Sequence, residues 1–421
     1  MNQFESYTAF EQGSLSCSNR YYSDYSTRIR SEDFQYLKEI ALDERNEQFI
    51  TLRSIRDGDL LCLGRYAGLV PLPSGNVLEI LPKCFRGSDS NERARRSLLN
   101  MLTVSGILSV KNFSAIEQEI LQRPLHYSIV HYFLLALERM VVQGISSSYS
   151  SRDEKRPVLR GKILVKKQLN EHTPLPQSFW TRAHEYSENR SENRVIRTCL
   201  DLIAPIARNH VNNRLMHLRS CFSEIPASND PDADLLAWNH DRLMSHYSDV
   251  EPWCRLILLG TGSLLTGRNT LPGLLYPMER LFESYVGACL EKIAPDGFQV
   301  ISQSTKWSLC IRNEQKLNTL RPDFVLRKSG LDSCVLDAKW KTQNELVEVA
   351  SPDLLQLYAY GRHYLKGNGR MALLYPKTEG FRTNSDEILY TADPGLSLRC
   401  IPIDLETEPA ALKAFLEETT S

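Results

Sequence analysis

Apolar residues recur along the chain in two rhythms, and the change between them outlines its organisation. From Phe49 to Leu81 they fall in short runs, Phe49 to Ile55, Leu60 to Arg65, Leu69 to Leu72 and Val77 to Leu81, with Pro73-Ser74-Gly75-Asn76 as a turn before the last. Short apolar and β-branched runs bounded by turn formers predict strands, so this stretch is expected to be a small β-rich region built of hairpins. Ahead of it, Ser31 to Ala41 predicts a short helix. Asn2 to Tyr25, rich in Ser, Tyr and Asn without either period, is expected to be irregular.

From Asn91 the spacing turns helical. Asn91 to Val104 predicts a helix with Glu92, Arg93, Arg95 and Arg96 on a solvated outer face. Pro124 to Ile145 predicts a longer one, apolar nearly all round at Tyr132 to Leu137, and Asn193 to Asn213 and Ala233 to His246 predict further helices. His126 and His131 lack the spacing of a metal-binding pair and read as ordinary core or surface histidines. Ser146 to Ser151, SSSYSS, reads as a polar break that serves as a linker. Beyond it, Arg152 to Lys167 carries seven Lys and Arg against two acids. Phosphate contact through Arg156, Arg160, Lys162, Lys166 and Lys167 is one reading, because a cation near a DNA backbone releases counterions. A lysine-protected strand edge is another, and tight packing at Gly161 a third. Leu259 to Gly267 contains a G-x-G without a following G-K-[ST], so it reads as a linker, and any NTPase activity is expected in another polypeptide.

The richest stretch is C-terminal. Between Tyr276 and Ala294, Met278, Leu281, Phe282, Tyr285, Val286, Cys289, Leu290 and Ile293 recur at helical spacing, with Glu279 and Glu283 one turn apart beside that stripe. Periodicity does not choose between the two acids. Two apolar runs then flank Asp323 and, fourteen residues on, Asp337, with Lys328 to Ser333 as the turn. A hairpin there lays Asp323 across from Asp337, and residues two apart in a strand share a face, so Asp337 and Lys339 project together. Two carboxylates that close repel one another unless a cation neutralises them, and hard oxygen ligands select Mg²⁺ or Mn²⁺. An ammonium beside such a site offsets charge that builds on a phosphate under attack, which is the chemistry of phosphodiester hydrolysis. Ser351-Pro352-Asp353 opens a helix that places Gln356 and Tyr360 on one face. Met371 to Tyr375 and Leu398 to Leu405 predict strands, and Glu408 to Glu418 a closing helix.

Composition narrows the picture. With 421 residues and a formal net charge of −1, the chain has room for two or three domains and no global basic field. Nucleic-acid binding is therefore expected to be local or shared with a partner. The ten cysteines form no C-x-x-C and no even ladder that reads as a disulfide framework, Cys310 and Cys334 lie too far apart for a metal pattern, and reduced, buried thiols are expected. No run of eighteen apolar residues occurs, and the first residues lack a signal-peptide pattern, so a soluble cytoplasmic protein without membrane contact is expected.

Arg321 to Leu326, RPDFVL, Val335 to Lys341, VLDAKWK, and Gln356 to Tyr360, QLYAY, resemble the PD-(D/E)xK nuclease core in its RecB-like form. Leu281 to Val286, LFESYV, resembles the preceding helix of the McrC family, the nuclease subunits of McrBC-type 5-methylcytosine-specific restriction systems. Ala67 to Val70, Leu78 to Lys83, Leu159 to Ile163 and Glu192 to Ile196 extend that resemblance upstream. It implies that Glu283, rather than Glu279, joins Asp323 and Asp337 as metal ligands. Lys339 would serve the attacking water, and Gln356 and Tyr360 would support the site or contact DNA. It also implies an N-terminal region that engages a McrB-like AAA+ GTPase ring through a hairpin such as Leu69 to Lys83, with GTP or ATP bound by the partner and modified double-stranded DNA as substrate. The expected architecture is α+β and multidomain: a β-rich, candidate partner-binding domain over 1–115, a mostly helical middle over 116–264 and a PD-(D/E)xK nuclease domain over 265–421. Alternatives are a RecB-like or CRISPR-associated nuclease of repair or adaptation, and a non-catalytic partner that only activates an NTPase. The complete acid and lysine set favours a Mg²⁺-dependent endonuclease.

Overall fold

The computed structural model describes residues 6–18, 26–55, 58–85, 90–108, 122–169, 178–204, 212–259, 274–313, 315–342, 349–382 and 384–420. They fall into two compact units, one comprising 1–128 with 260–421 and the other 129–259. The architecture is mixed α/β throughout. The glycine-containing stretch 260–267 lies outside the described residues.

The first unit begins with β1 (Ser6–Phe10), β2 (Ser14–Ser16), β3 (Ser26–Arg28), α1 (Ser31–Ala41), β4 (Ile50–Ile55), β5 (Gly58–Leu63), β6 (Tyr66–Pro71), β7 (Val77–Leu81) and α2 (Ser90–Val104). Two small sheets result: β3-β2-β5-β4, and one in which β7 lies between β1 and β6. Leu15, Phe34, Ile50, Leu61, Leu78 and Ile80 form their shared core.

Three expectations change here. The lead segment is not irregular where it is described, because Ser6–Phe10 pairs in parallel with Val77–Leu81. Its polar side chains have distant partners: Thr8 donates to Glu79 at 3.0 Å, and the Tyr7 hydroxyl accepts from Asn76 at 3.1 Å. No local rhythm announces such a strand. Arg95 does not lie on a solvated face either. Its guanidinium is buried against Glu79, with bonds of 2.9 and 2.7 Å to the two carboxylate oxygens. Finally, every side chain of β7 is buried, so the hairpin Leu69 to Lys83 is interior structure, with Pro73 and Gly75 exposed at its tip.

The second unit is entered along α3 (Leu125–Gln143). It continues with β8 (Ser148–Arg156), β9 (Lys162–Ile163), α4 (Val165–Leu169), β10 (Phe179–Ser187), α5 (Ser191–Ile203), α6 (Asn212–Cys221), α7 (Pro231–Leu236) and α8 (Glu251–Leu259). Its helices pack around the stacked rings of Tyr132 and Trp253, 5.9 Å apart. The serine-rich segment is not a linker, because Ser148 to Ser151 begin β8 and pair with β10 from Ser187 backwards. The helix expected over Ala233 to His246 is broken in two. Asp230 caps Ala233 N at 3.0 Å, while Asn239 accepts from Asp241 N at 2.8 Å in an Asx turn that competes with helix.

Returning to the first unit, the chain forms β11 (Leu274–Pro277), α9 (Met278–Ile293), β12 (Phe298–Ser302), β13 (Trp307–Arg312), β14 (Gln315–Leu320), β15 (Phe324–Lys328) and β16 (Leu331–Ala338). It ends with α10 (Ser351–Tyr364), β17 (Gly369–Pro376), β18 (Ile388–Leu389), β19 (Leu396–Ile403) and α11 (Ala410–Thr420). Tyr276 and Pro277, expected to open the helix, instead close β11, which pairs antiparallel with β6. Six strands make the main sheet in the order β12-β15-β16-β17-β19-β18. β16 and β17 are parallel and joined through α10, and Met371 to Pro376 of β17 are all buried, as a strand covered on both faces requires. The β15–β16 turn is only Ser329-Gly330, with φ of 50° and 81°. Two left-handed central residues match the twist of the flanking strands and fix the register. All ten cysteines are free, and Cys310 is exposed rather than buried.

Candidate active site

The β15–β16 register pairs Phe324 with Leu336, which brings Asp323, one residue before β15, opposite Asp337. Asp337 is buried near the end of β16, and Lys339 follows the strand, its amide donating to Leu374 O at 2.8 Å on β17. The Lys339 ammonium lies 2.6 Å from Asp337 Oδ2 and donates to Gln356 Oε1 at 3.1 Å. Gln356 in turn donates to the Tyr360 hydroxyl at 2.7 Å, which donates to Arg321 O at 3.1 Å. One relay thus joins the lysine, both residues on the α10 face and the backbone just before Asp323.

The two glutamates of α9 point to different neighbours. Glu279 is exposed and pairs with Arg65. Glu283 accepts from Gln303 Nε2, which also donates to Asp323 Oδ1 at 3.0 Å. Ala338 N donates to Asp323 Oδ2 at 2.8 Å. The structure therefore gathers Glu283, Asp323, Asp337, Lys339, Gln356 and Tyr360, and leaves Glu279 outside.

Two further residues belong to the cluster. Gln303 bridges two carboxylates from a left-handed backbone, φ 51°, a conformation costly for a side-chain-bearing residue. Asp353, buried in the first turn of α10, holds Lys341 at 2.6 Å. The Ser-Pro-Asp helix start marked the place of Asp353 without its role, and nothing in the local pattern marked Gln303.

The electrostatics follow from burial. Asp323 is pushed up to about 7, first by burial and then by the charge of Asp337, with the Ala338 N–H opposing. Asp337 is raised by burial, against the pull of Lys339. Lys339 is desolvated too, but Asp337 outweighs that effect and holds it above the usual lysine range. Among the described residues, no three His, Cys, Asp or Glu side chains converge on a common point as a closed ligand set. The donors nevertheless suit a hard divalent cation: carboxylate oxygens, including those of buried Asp337 and half-buried Asp323, whose mutual repulsion such an ion would relieve.

The five basic candidates lie in the second unit. Arg156 pairs with Glu154 at 2.6 Å, and Lys167 with Asp153 at 3.0 Å while its ammonium sits over Trp180. Arg160, Lys162 and Lys166 are exposed. His126 is buried, and burial with nearby Arg95 lowers it to about 4, as for a neutral core histidine.

Fold and cluster together describe a mixed α/β protein with a surplus of buried acid beside one lysine. A family model described as McrBC 5-methylcytosine restriction system component matches residues 61–376, and the chain belongs to that family. Among solved structures, it is similar to a chain from a half-complex of the tetradecameric assembly of Thermococcus gammatolerans McrB AAA+ hexamers with bound McrC. The TM-score is 0.71 at 18% identity, over 98% of this chain and 100% of that one, which shows a shared fold. A chain of the T. gammatolerans McrBC complex matches more loosely, with TM-score 0.48 and 17% identity over 69% of this chain and 88% of that one. No curated protein matches the chain. Among the described residues, no helix is long and apolar enough to cross a membrane.

Proposed function

We propose that the chain is the nuclease subunit of a McrBC-type restriction complex, a Mg²⁺-dependent DNA endonuclease with a PD-(D/E)xK site, working with an AAA+ GTPase ring that binds GTP or ATP. The observation that carries this reading is the placement of Asp337 beside Lys339 and across from Asp323, which Gln303 links to Glu283. The McrB hexamers in the assembly with bound McrC support the choice of partner.

Glu283, Asp323, Asp337 and the Ala338 carbonyl would hold Mg²⁺, or Mn²⁺ in its place. When bound, the ion supplies Lewis-acid stabilisation at the scissile phosphate and acidifies water. Lys339, kept protonated by Asp337, acts as a donor that orients the nucleophile and offsets charge building on the phosphate oxygens. Gln356 and Tyr360 fix the direction of that ammonium. Arg160, Lys162 and Lys166 contribute local backbone attraction for modified double-stranded DNA, which a net charge of −1 does not supply globally.

The test is cleavage of cytosine-methylated and unmodified plasmid by the full chain, with and without its AAA+ partner, in Mg²⁺ plus GTP or ATP. Cutting that requires partner, nucleotide and methylation is the expected result. Cutting of any DNA by the lone chain would move it to a general repair-type nuclease, and stimulated NTPase activity without cutting would make it a non-catalytic activator.

A further inference from the structure

The residue after the lysine is Trp340, and it is tied to a distant part of the first unit. Its indole Nε1–H donates to Glu11 Oε1 at 2.6 Å, and its carbonyl accepts from Lys83 Nζ at 3.4 Å. The same Glu11 oxygen accepts from Lys83 N at 3.1 Å, and Lys83 Nζ also donates to Gln12 Oε1 at 2.8 Å. All three principals are buried: Glu11 is 0% exposed, Trp340 2% and Lys83 9%. Glu11 directly follows β1, and Lys83 follows β7, the two strands that pair in parallel. Trp340 also packs on Phe282, 5.3 Å between ring centroids, and Phe282 immediately precedes Glu283. One indole therefore touches the helix of one acid, adjoins the lysine by a peptide bond and is held by a carboxylate from the opposite end of the sequence.

We propose that Glu11 and Lys83 are positioning residues for cleavage: by fixing Trp340, they set the placement of Lys339 and of the Glu283 helix, so that the N-terminal sheet controls the geometry of the site. The inference rests on the nuclease reading above. A buried indole N–H needs an acceptor, and Glu11 supplies it. A lysine so placed loses catalytic power when its support loosens, as outer-shell partners generally show.

The experiment compares Glu11→Ala, Glu11→Gln and Trp340→Phe with Leu15→Ala, a cavity in the same N-terminal core away from the indole. Each full-length variant is assayed with the AAA+ partner and nucleotide below its own melting temperature. Glu11→Ala and Trp340→Phe are expected to lower kcat by about 10- to 100-fold with KM for DNA unchanged. Glu11→Gln, which keeps an acceptor oxygen, restores most of the rate, and Leu15→Ala retains it. A kcat for Glu11→Ala within about twofold of the parent, or an equal loss in Leu15→Ala, overturns the proposal. If the parent chain itself does not cut, the nuclease reading falls. Positioning is then judged by amide hydrogen exchange over 337–341: faster exchange in Glu11→Ala than in Leu15→Ala supports it, and equal exchange overturns it.

Discussion

Two places in the first unit bury acid, and they do so differently. Glu79, with no exposure, meets the Arg95 guanidinium with both oxygens and also accepts from Thr8 and from Leu125 N at the start of α3. Charge is balanced there and the acceptors are satisfied. Around Asp337, the one ammonium of Lys339 pairs with Asp337, while Asp323 and Glu283 are joined only through the amide of Gln303. A balanced pair serves the fold. A surplus of buried negative charge costs stability, the kind of cost that proteins carry at functional sites.

That contrast can be broken at either end. Asp337→Ala should abolish cleavage, a loss of roughly a thousand-fold or more, equivalent to about 4 kcal/mol of transition-state stabilisation, while leaving the fold and partner binding intact. Plasmid cutting with circular dichroism as control reads this, and surviving activity would remove Asp337 from the site. Arg95→Leu should instead cost stability, about 3–5 kcal/mol, by leaving Glu79 buried without its counter-ion. Urea unfolding measures it, and a midpoint near that of the parent would show that the pair is not structural. Asp323→Asn should do the reverse in chelator, raising stability by about 1–3 kcal/mol while cleavage is lost.

The sign of the pH dependence follows. Asp323 is pushed up to about 7 in the folded state, above the ordinary aspartate value of about 3.9, so the folded state binds the proton more tightly. Without divalent cation, stability should fall as pH rises through that window, and Asp323→Asn should flatten the fall. Added Mg²⁺ should raise the parent's melting temperature more than the variant's. The smallest effect is expected of Tyr360→Phe, which loses the two hydrogen bonds of its hydroxyl and about 1 kcal/mol, seen as a several-fold drop in cleavage rate.

What the sequence revealed divides along the same line. The hairpin around Asp323 and Asp337 is legible because short apolar runs and a turn between them over Lys328 to Ser333 are local signals, and the pairing places the acids as the spacing requires. Glu283 could be separated from Glu279 only by resemblance, since both flank one apolar stripe. The structure separates them by partner, Gln303 for one and Arg65 for the other. Arg95 departs from expectation because a charged residue on an amphipathic helix normally faces water, and its counter-ion sits sixteen residues away on a strand. The strand Ser6–Phe10 escaped notice for a similar reason: its partner is β7, and its polar residues carry no period. Gln303 and Glu11 act only through tertiary contacts, which periodicity does not encode.

The junction at Pro277 has a consequence for engineering and descent. β11 completes the N-terminal sheet beside β6, and the very next residue, Met278, both opens α9 and bonds back to Arg65 O at 2.9 Å. A graft that takes the C-terminal half alone must either carry away the edge strand of its neighbour or leave it behind. In the first case β6 is exposed as a sticky edge, and in the second the Glu283 helix loses its anchor. Modular swapping at this seam is therefore penalised, and the two halves are bound to be inherited, and redesigned, as a single piece.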